Sequence, residues 1–322
     1  MKLAVLFAGA LALFGQQPHV SNARLETRPV TGGLEATFQA ILKAQAAPAW
    51  VGYAEPIIPG DQQICWPQTV KLEGPTHLVI LLRVENNQTS KIHTFTPECD
   101  LDAGGLPLIW LTGVTAPESV RFLLSIAENG TNEIPMTQAA TTAIALHADP
   151  AADNALEELA APNQAENLRR QAIFWLGNSR GQRGFEVLSR IVREDSSDKI
   201  REHAVFALTV SKEPEALSAL VAVAYNDKSA RVRSQALVWL AQKAGQRMSE
   251  SSIRDAIAND PETDVKKRAV FALTQMPNGG GVPLLIHVAR TNPNPEVRKQ
   301  AVFWLGRSRD TRALAFIEDV LK

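Results

Sequence analysis

Val297-Arg298-Lys299-Gln300-Ala301-Val302-Phe303-Trp304-Leu305-Gly306 is the last of five variants of one phrase, and its reading decides the fold. The earlier variants begin at Leu168, Ile200, Val232 and Val265, so successive starts lie 32, 32, 33 and 32 residues apart. Self-similarity at a fixed period of this size marks a stacked-repeat architecture. Within each variant an aliphatic residue, an alanine and a leucine stand at i, i+4 and i+8, as in Leu168, Ala172 and Leu176, and so share one helical face. Ile173, Phe174 and Trp175 lie between them, which makes the helix apolar nearly all round and in need of cover on several sides.

A second apolar pattern follows at matching offsets: Leu188, Leu220, Ile253, Leu285 and Ile317, then Ile191, Val223, Ala256, Val288 and Val320. Each repeat is therefore a helix pair, and neighbouring pairs bury one another's faces. The alanine is constant (Ala172, Ala204, Ala236, Ala269, Ala301), a small contact that lets the two helices of a repeat approach. Three residues further on, Trp175, Ala207, Trp239, Ala272 and Trp304 alternate large with small. This predicts interlocking packing with Trp175, Trp239 and Trp304 as structural core. The alternative is an aromatic binding stripe.

The pattern Val-Arg-x-x-Ala-x-x-x-Leu-Gly after an acidic turn resembles the short HEAT-like repeats, the variety seen in phycobilin-lyase-type repeat proteins, and covers about half of the chain. The resemblance implies an α-helical solenoid over 166–322, with five regular antiparallel helix pairs stacked into a curved rod. It also implies that second helices line the concave side, where partners bind. The glycine is replaced in three copies, by Thr209, Ala241 and Thr274, a departure expected to touch only the turn after the first helix.

Upstream the texture changes. Lys2 followed by the apolar run Leu3–Phe14 and a polar stretch to Ala23 reads as a secretory signal over 1–23. The run is too short to span a bilayer, and no other segment has the length to do so. Residues 24–115 read as a small mixed domain, mostly β. A helix is expected over Leu34–Ala46 and strands over Val70–Glu73, His77–Glu85, Lys91–Thr96 and Leu108–Leu111, with a hairpin turn at Asn86-Asn87. Residues 116–165 read as a helical connector with a degenerate capping repeat, built from Ala116–Glu128, Thr137–His147 and Asn154–Ala160.

The chain holds two cysteines, Cys65 and Cys99. An even count in an exported protein favours a disulfide, which would close a loop of about 35 residues and contribute roughly 4 kcal/mol in the chain-entropy model. A zinc site from Cys65, Cys99, His77 and His93 is the alternative, but it lacks the close ligand pairs of structural sites. No metal and no cofactor is expected.

Arg169, Arg201, Arg233, Lys266 and Arg298 recur at the second position of the phrase, preceded by Glu166, Asp198, Asp227, Asp264 and Glu296. A basic ladder for nucleic acid is one reading. With a formal net charge of −1 the chain has no surplus to neutralise phosphates, so charge pairing between turns is preferred and no nucleic-acid partner is expected. No phosphate loop, serine elbow or paired-carboxylate constellation stands out, and Glu202-His203 is a single reversed copy of the His-Glu pairs that HEAT-like hydroxylases repeat.

Function is therefore sought where the repeats disagree. On the second helices the positions off the seam carry Arg190, Ala222, Asp255, His287 and Asp319, then Arg193, Tyr225, Ala258, Arg290 and Lys322. Arg190, Tyr225, His287 and Arg290 are the expected partner-binding residues, since tyrosine and arginine are favoured at interface hot spots. The sequence thus points to an exported, non-enzymatic scaffold or adaptor binding protein partners through the array. The alternative is a small-molecule-binding or catalytic N-terminal domain, with Trp50, Tyr53, Trp66 and His93 lining its pocket, that the repeats regulate or tether.

Overall fold

The computed structural model describes residues 18–45, 47–59, 76–129, 134–243 and 247–322. The chain divides into two compact units, Met1–Leu156 and Glu157–Lys322. No helix among the described residues is long and apolar enough to cross a membrane.

The first unit is built on a sheet. Its strands and helices run β1 (Val20–Ser21), β2 (Arg24–Pro29), α1 (Leu34–Ala44), β3 (Ala49–Pro56), β4 (His77–Glu85), β5 (Gln88–Phe95), β6 (Leu101–Asp102), β7 (Pro107–Thr112), α2 (Ala116–Asn129) and α3 (Ile134–Leu146). The main sheet has the order β2-β7-β3-β4-β5, parallel on the β2-β7-β3 side and antiparallel on the β3-β4-β5 side. Alternation along β3 sends Val51, Tyr53 and Glu55 to one face and Trp50, Gly52 and Ala54 to the other. The first face meets helices: α2 packs on β3 and on α1, where Phe38 and Phe122 have ring centroids 4.8 Å apart, and α3 packs on β5. On the second face Val79, Leu81, Leu108 and Trp110 form a cluster joined by Val20, Trp50, Phe95 and Leu101.

The expected β4–β5 hairpin is present. Asn86 and Asn87 both take left-handed backbone, φ 52° and 60°, as the tight turn between twisted strands requires. Val70–Glu73 lies outside the described residues. Strand β2 was not anticipated, and β3, which is central to the sheet, falls between the prolines at 48 and 56, which punctuate a stretch read as short extended pieces without delimiting a strand. Strand β1 pairs in parallel with β6 and belongs to the stretch read as a secretory signal. Helices α2 and α3, expected as connector and cap, instead pack within the sheet unit. Ala140, Ala143, Ile144, Ala145 and Leu146 are all buried, so α3 needs cover on more sides than a cap would supply.

The division between the units falls within α4 (Ala151–Leu159). The second unit continues with α5 (Glu166–Ser179), α6 (Gly181–Glu194), α7 (Asp198–Val210), α8 (Ala216–Asn226), α9 (Ala230–Gln242), α10 (Arg247–Asn259), α11 (Thr263–Thr274), α12 (Val282–Thr291), α13 (Pro295–Arg307) and α14 (Thr311–Leu321). These are five stacked helix pairs, as the sequence requires. First helices α5, α7, α9, α11 and α13 pack each on the next, and each second helix packs on its own first helix. The repeated aliphatic, alanine and leucine positions are buried throughout.

Two glycines have a role the sequence reading missed. A Cβ on Gly177 would stand 2.3 Å from the Ala207 carbonyl oxygen, and one on Gly184 would stand 2.0 Å from that of Leu176. Gly177 thus sets the α5–α7 approach rather than the turn after α5. Gly184 gives the close approach within a repeat that had been ascribed to the constant alanine.

Candidate functional site

The basic positions of the phrase are consumed inside the array. Arg201, 1% exposed, donates through Nε and Nη2 to both carboxylate oxygens of Asp227, at 2.8 and 2.9 Å, and through Nη1 to the carbonyl of Asp195, at 2.8 Å. Arg233 treats Asp260 and the Asp227 carbonyl in the same way, and Arg169 pairs with Asp195. Each of these aspartates also accepts the amide two residues on, from Ser197, Ser229 or Glu262, and so shapes the loop between repeats. The pairing is therefore of the expected kind, but its acids stand after the second helix and not chiefly before the first. Guanidinium groups held this way are not offered to phosphate.

Trp175, Trp239 and Trp304 are half-buried, unlike the alanines beside them. Trp239 and Trp304 meet a phenylalanine of the preceding first helix, Phe206 at 5.3 Å and Phe271 at 5.1 Å, whereas Trp175 meets Phe174 of its own helix at 5.3 Å. Trp239 and Trp304 thus cover the seams between successive first helices at the surface, an arrangement between the interior core expected and the free stripe it was weighed against.

The second-helix layer is less tightly closed. A cleft of about 340 Å³ lies between α6 and α8, lined by Ser189, Val192, Arg193, Ala219, Ala222 and Lys228 among others. Another of about 230 Å³ lies between α4 and α6 and includes Glu157, Pro162, Arg190 and Glu194. Arg190 and Arg183 both pair with Glu157 across the mouth of the latter. Tyr225, 44% exposed, sits on α8 beside Asn226 of the former. His287 and Arg290 stand apart from them on α12. There Arg290 pairs with Asp319 at 3.2 Å and lies over the Phe316 ring at 5.4 Å, while His287 is exposed beside Thr291. The four expected partner residues thus share one layer and fall into two groups, with α10 between them in chain order.

A match to the HEAT-repeat family model spans residues 153–241 and 251–322, together half of the chain. The chain belongs to the HEAT-repeat family. Among solved structures this HEAT-repeat protein is similar to the complex of CpcE and CpcF of phycocyanin lyase from Nostoc sp. That pairing has 20% identity over 48% of this chain and 97% of that one, with a TM-score of 0.37. It is also similar to human deoxyhypusine hydroxylase in complex with glycerol, with 16% identity over 63% of this chain and 90% of that one and a TM-score of 0.34. No curated protein matches.

The HEAT protein's N-terminal unit has its own polar features. Trp50 and His93, with ring centroids 5.7 Å apart, share a cavity of about 260 Å³ with Phe95, Asp100 and Asp102 on the second face of the sheet. Burial holds the His93 pKa below its ordinary value. Tyr53 is on the opposite face, and Trp66 lies outside the described residues. There Ser119 Oγ is 2.9 Å from both the Tyr53 hydroxyl and His147 Nε2, while His147 Nδ1 is 2.7 Å from the Ala143 carbonyl. With Nδ1–H donating to that carbonyl, neutral His147 accepts the Ser119 proton through Nε2, and Ser119 accepts from Tyr53. The constellation resembles a serine nucleophile with its base, but both Ser119 and His147 are fully buried here.

Glu55, on the same face, is 3% exposed. Burial and then the charges of Asp149 and Glu118 push its pKa up to about 8. Of the cysteines, Cys99 is buried, with its sulfur 3.6 Å from Thr96 Oγ1, and Cys65 lies outside the described residues. Among the described residues no group of three His, Cys, Asp or Glu side chains is placed to hold a metal.

Proposed function

We propose that this HEAT-repeat protein is an exported, non-enzymatic interaction scaffold that engages a protein partner through the second-helix layer of its array. The observation that carries the reading is the pair of clefts flanking α6, lined by Arg190 and Arg193 and with exposed Tyr225 next to a lining residue, in a layer whose neighbouring first-helix layer is closed by backbone contact at Gly177. Buried positions of the repeat are spent on stacking. The variable second-helix positions remain for recognition, and arginine and aromatic side chains beside apolar hollows are the chemistry of interface hot spots.

Export rests on the N-terminal Lys2 and the apolar run after it, and the Cys65–Cys99 disulfide rests on that compartment. A second reading, a small-molecule site in the N-terminal unit, draws on the Trp50–His93 cavity.

Changing Arg190, Tyr225, His287 and Arg290 together to alanine tests the reading. The four lie off the buried seam, so the fold is expected to persist with a change of about 0.5 kcal/mol or less per site. Partner recovery from an envelope extract should fall sharply. Equal recovery by wild type and an equally folded variant would exclude this layer and turn attention to the sheet unit.

A further inference from the structure

The α6–α8 cleft has a cause in one helix. At the two positions of the second helix that face it, the five repeats carry Val187, Ala219, Ser252, Leu284 and Phe316, and Arg190, Ala222, Asp255, His287 and Asp319. Only α8 has alanine at both. The truncation leaves a hollow floored by Val192, Ala219, Ala222 and Val223, where a partner's apolar side chain finds van der Waals contact that the chain does not supply itself.

Ser189 Oγ is also buried at this cleft without a hydrogen-bond partner. Its oxygen has almost no accessible surface, so Ser189 shapes the wall of the cleft and is not counted among its contacts to a ligand.

The rim is positive. Arg193 and Lys228 line the cleft, while its carboxylate, Asp227, is already saturated by two hydrogen bonds from Arg201 and one from the Ser229 amide. Among the described residues Arg193 forms one ion pair, with Glu194 at 3.9 Å and with both side chains largely exposed, a pairing of little worth.

We propose that the α6–α8 cleft is a docking site for an acidic protein segment bearing one apolar anchor residue. The anchor fills the space above Ala219 and Ala222, and flanking carboxylates meet Arg193 and Lys228. This rests on the scaffold reading above and specifies what that scaffold selects.

A short dye-labelled peptide of glutamates around a single leucine is the probe, read by fluorescence anisotropy on the full chain. The same peptide with serine for leucine, or with lysines for glutamates, should bind at least tenfold more weakly. Ala222→Leu fills the hollow from within and should abolish binding. The double variant Arg193→Glu with Lys228→Glu should reject the acidic probe and take up the lysine peptide. That swap of preference is a gain that a merely misfolded variant cannot show.

Absence of probe binding to wild type, or binding unaffected by both variants, overturns the assignment. If the fourfold variant of the preceding subsection still loses its partner in that case, the scaffold reading stands and only this cleft's role falls.

Discussion

In the array, Arg169, Arg201 and Arg233 are buried at one repeated position, each against its own aspartate. The N-terminal unit buries Glu55 near the like charges of Asp149 and Glu118, and buries Tyr53, Ser119 and His147 against one another. The array solves one electrostatic problem once and copies the solution. Because each arginine ties its own repeat's loop to the carbonyl of the preceding one, the pair acts only at a junction between neighbours. The sheet unit has no copies, so its polar cluster is a single solution on which one core depends. Damage to the array should be local and graded, and damage to the sheet unit cooperative.

The largest effect expected follows from Arg201, whose removal leaves Asp227 buried without its cation. Arg201→Ala should destabilise the array by about 3–5 kcal/mol in denaturant titration, with hydrogen exchange rising first in α7 and α8. A loss below about 1 kcal/mol would mean that the ladder is dispensable and that apolar stacking alone sets the junction.

Next comes Ser119→Ala. It removes the Ser119 hydroxyl that bridges Tyr53 Oη and His147 Nε2 in a buried cluster, for about 1–3 kcal/mol in the stability of the sheet unit. Exchange protection should fall across that unit together. A change confined to α2 would show that this unit, too, yields piecemeal.

Glu55 supplies a pH dependence with a definite sign. Its folded-state pKa, about 8, lies above the ordinary 4.5. Its favourable contribution is complete below about pH 4.5 and is lost as pH rises through about 8. Between those limits the unfolded chain has released the proton and the folded chain retains it, so the slope is about −1.4 kcal/mol per pH unit. Glu55→Gln should flatten the profile of the sheet unit and leave that of the array alone. A wild-type profile already flat from about pH 5 to 8 would show that Glu55 is ionised at little expense.

How far each unit was legible follows the same contrast. Five copies of a phrase let Leu168, Ala172 and Leu176 be read as one buried face, since any error would have had to recur five times. The β4–β5 hairpin was readable because Asn86-Asn87 names its own turn. Strand β3 was missed because Gly52 and the bracketing prolines are loop signals when taken locally, and only pairing with β4 and β7 makes them a strand. Asp198, three residues before Arg201, does pair with it at 2.8 Å as expected, but the buried acids escaped because Asp195, Asp227 and Asp260 lie 26 or 27 residues downstream of their partners, across a helix pair. The tryptophans show the limit of periodicity. A helix apolar all round tells that Trp239 is covered on some side, but not that Phe206 of the preceding repeat would cover it only in part. The cleft did leave a signal, Ala222, in the very comparison of repeats that drew attention to Tyr225, but the position of Ala219 was not compared.

The smallest effect is also the sharpest test of the copied solution. At the fourth junction the ladder lapses: Lys266 replaces arginine and sends Nζ to the Ala258 carbonyl at 2.8 Å, and Asn292 stands where the earlier loops have aspartate. The loop itself is unchanged, since Asn292 still accepts the Asn294 amide at 3.0 Å and its carbonyl still receives Arg298 at 2.7 Å. If the pair is modular, Lys266→Arg with Asn292→Asp should rebuild it. Lys266→Arg alone gains a fork with no acid to grip, and Asn292→Asp alone gains only a lysine at hand. Both singles should be near neutral or slightly destabilising, while the double variant gains up to about 1 kcal/mol with a favourable coupling energy in the cycle. Strict additivity would mean that α11 and α12 do not bring the two positions together as the earlier repeats do. The ladder would then be a property of the first three junctions, and the sequence period would extend further than the electrostatic one.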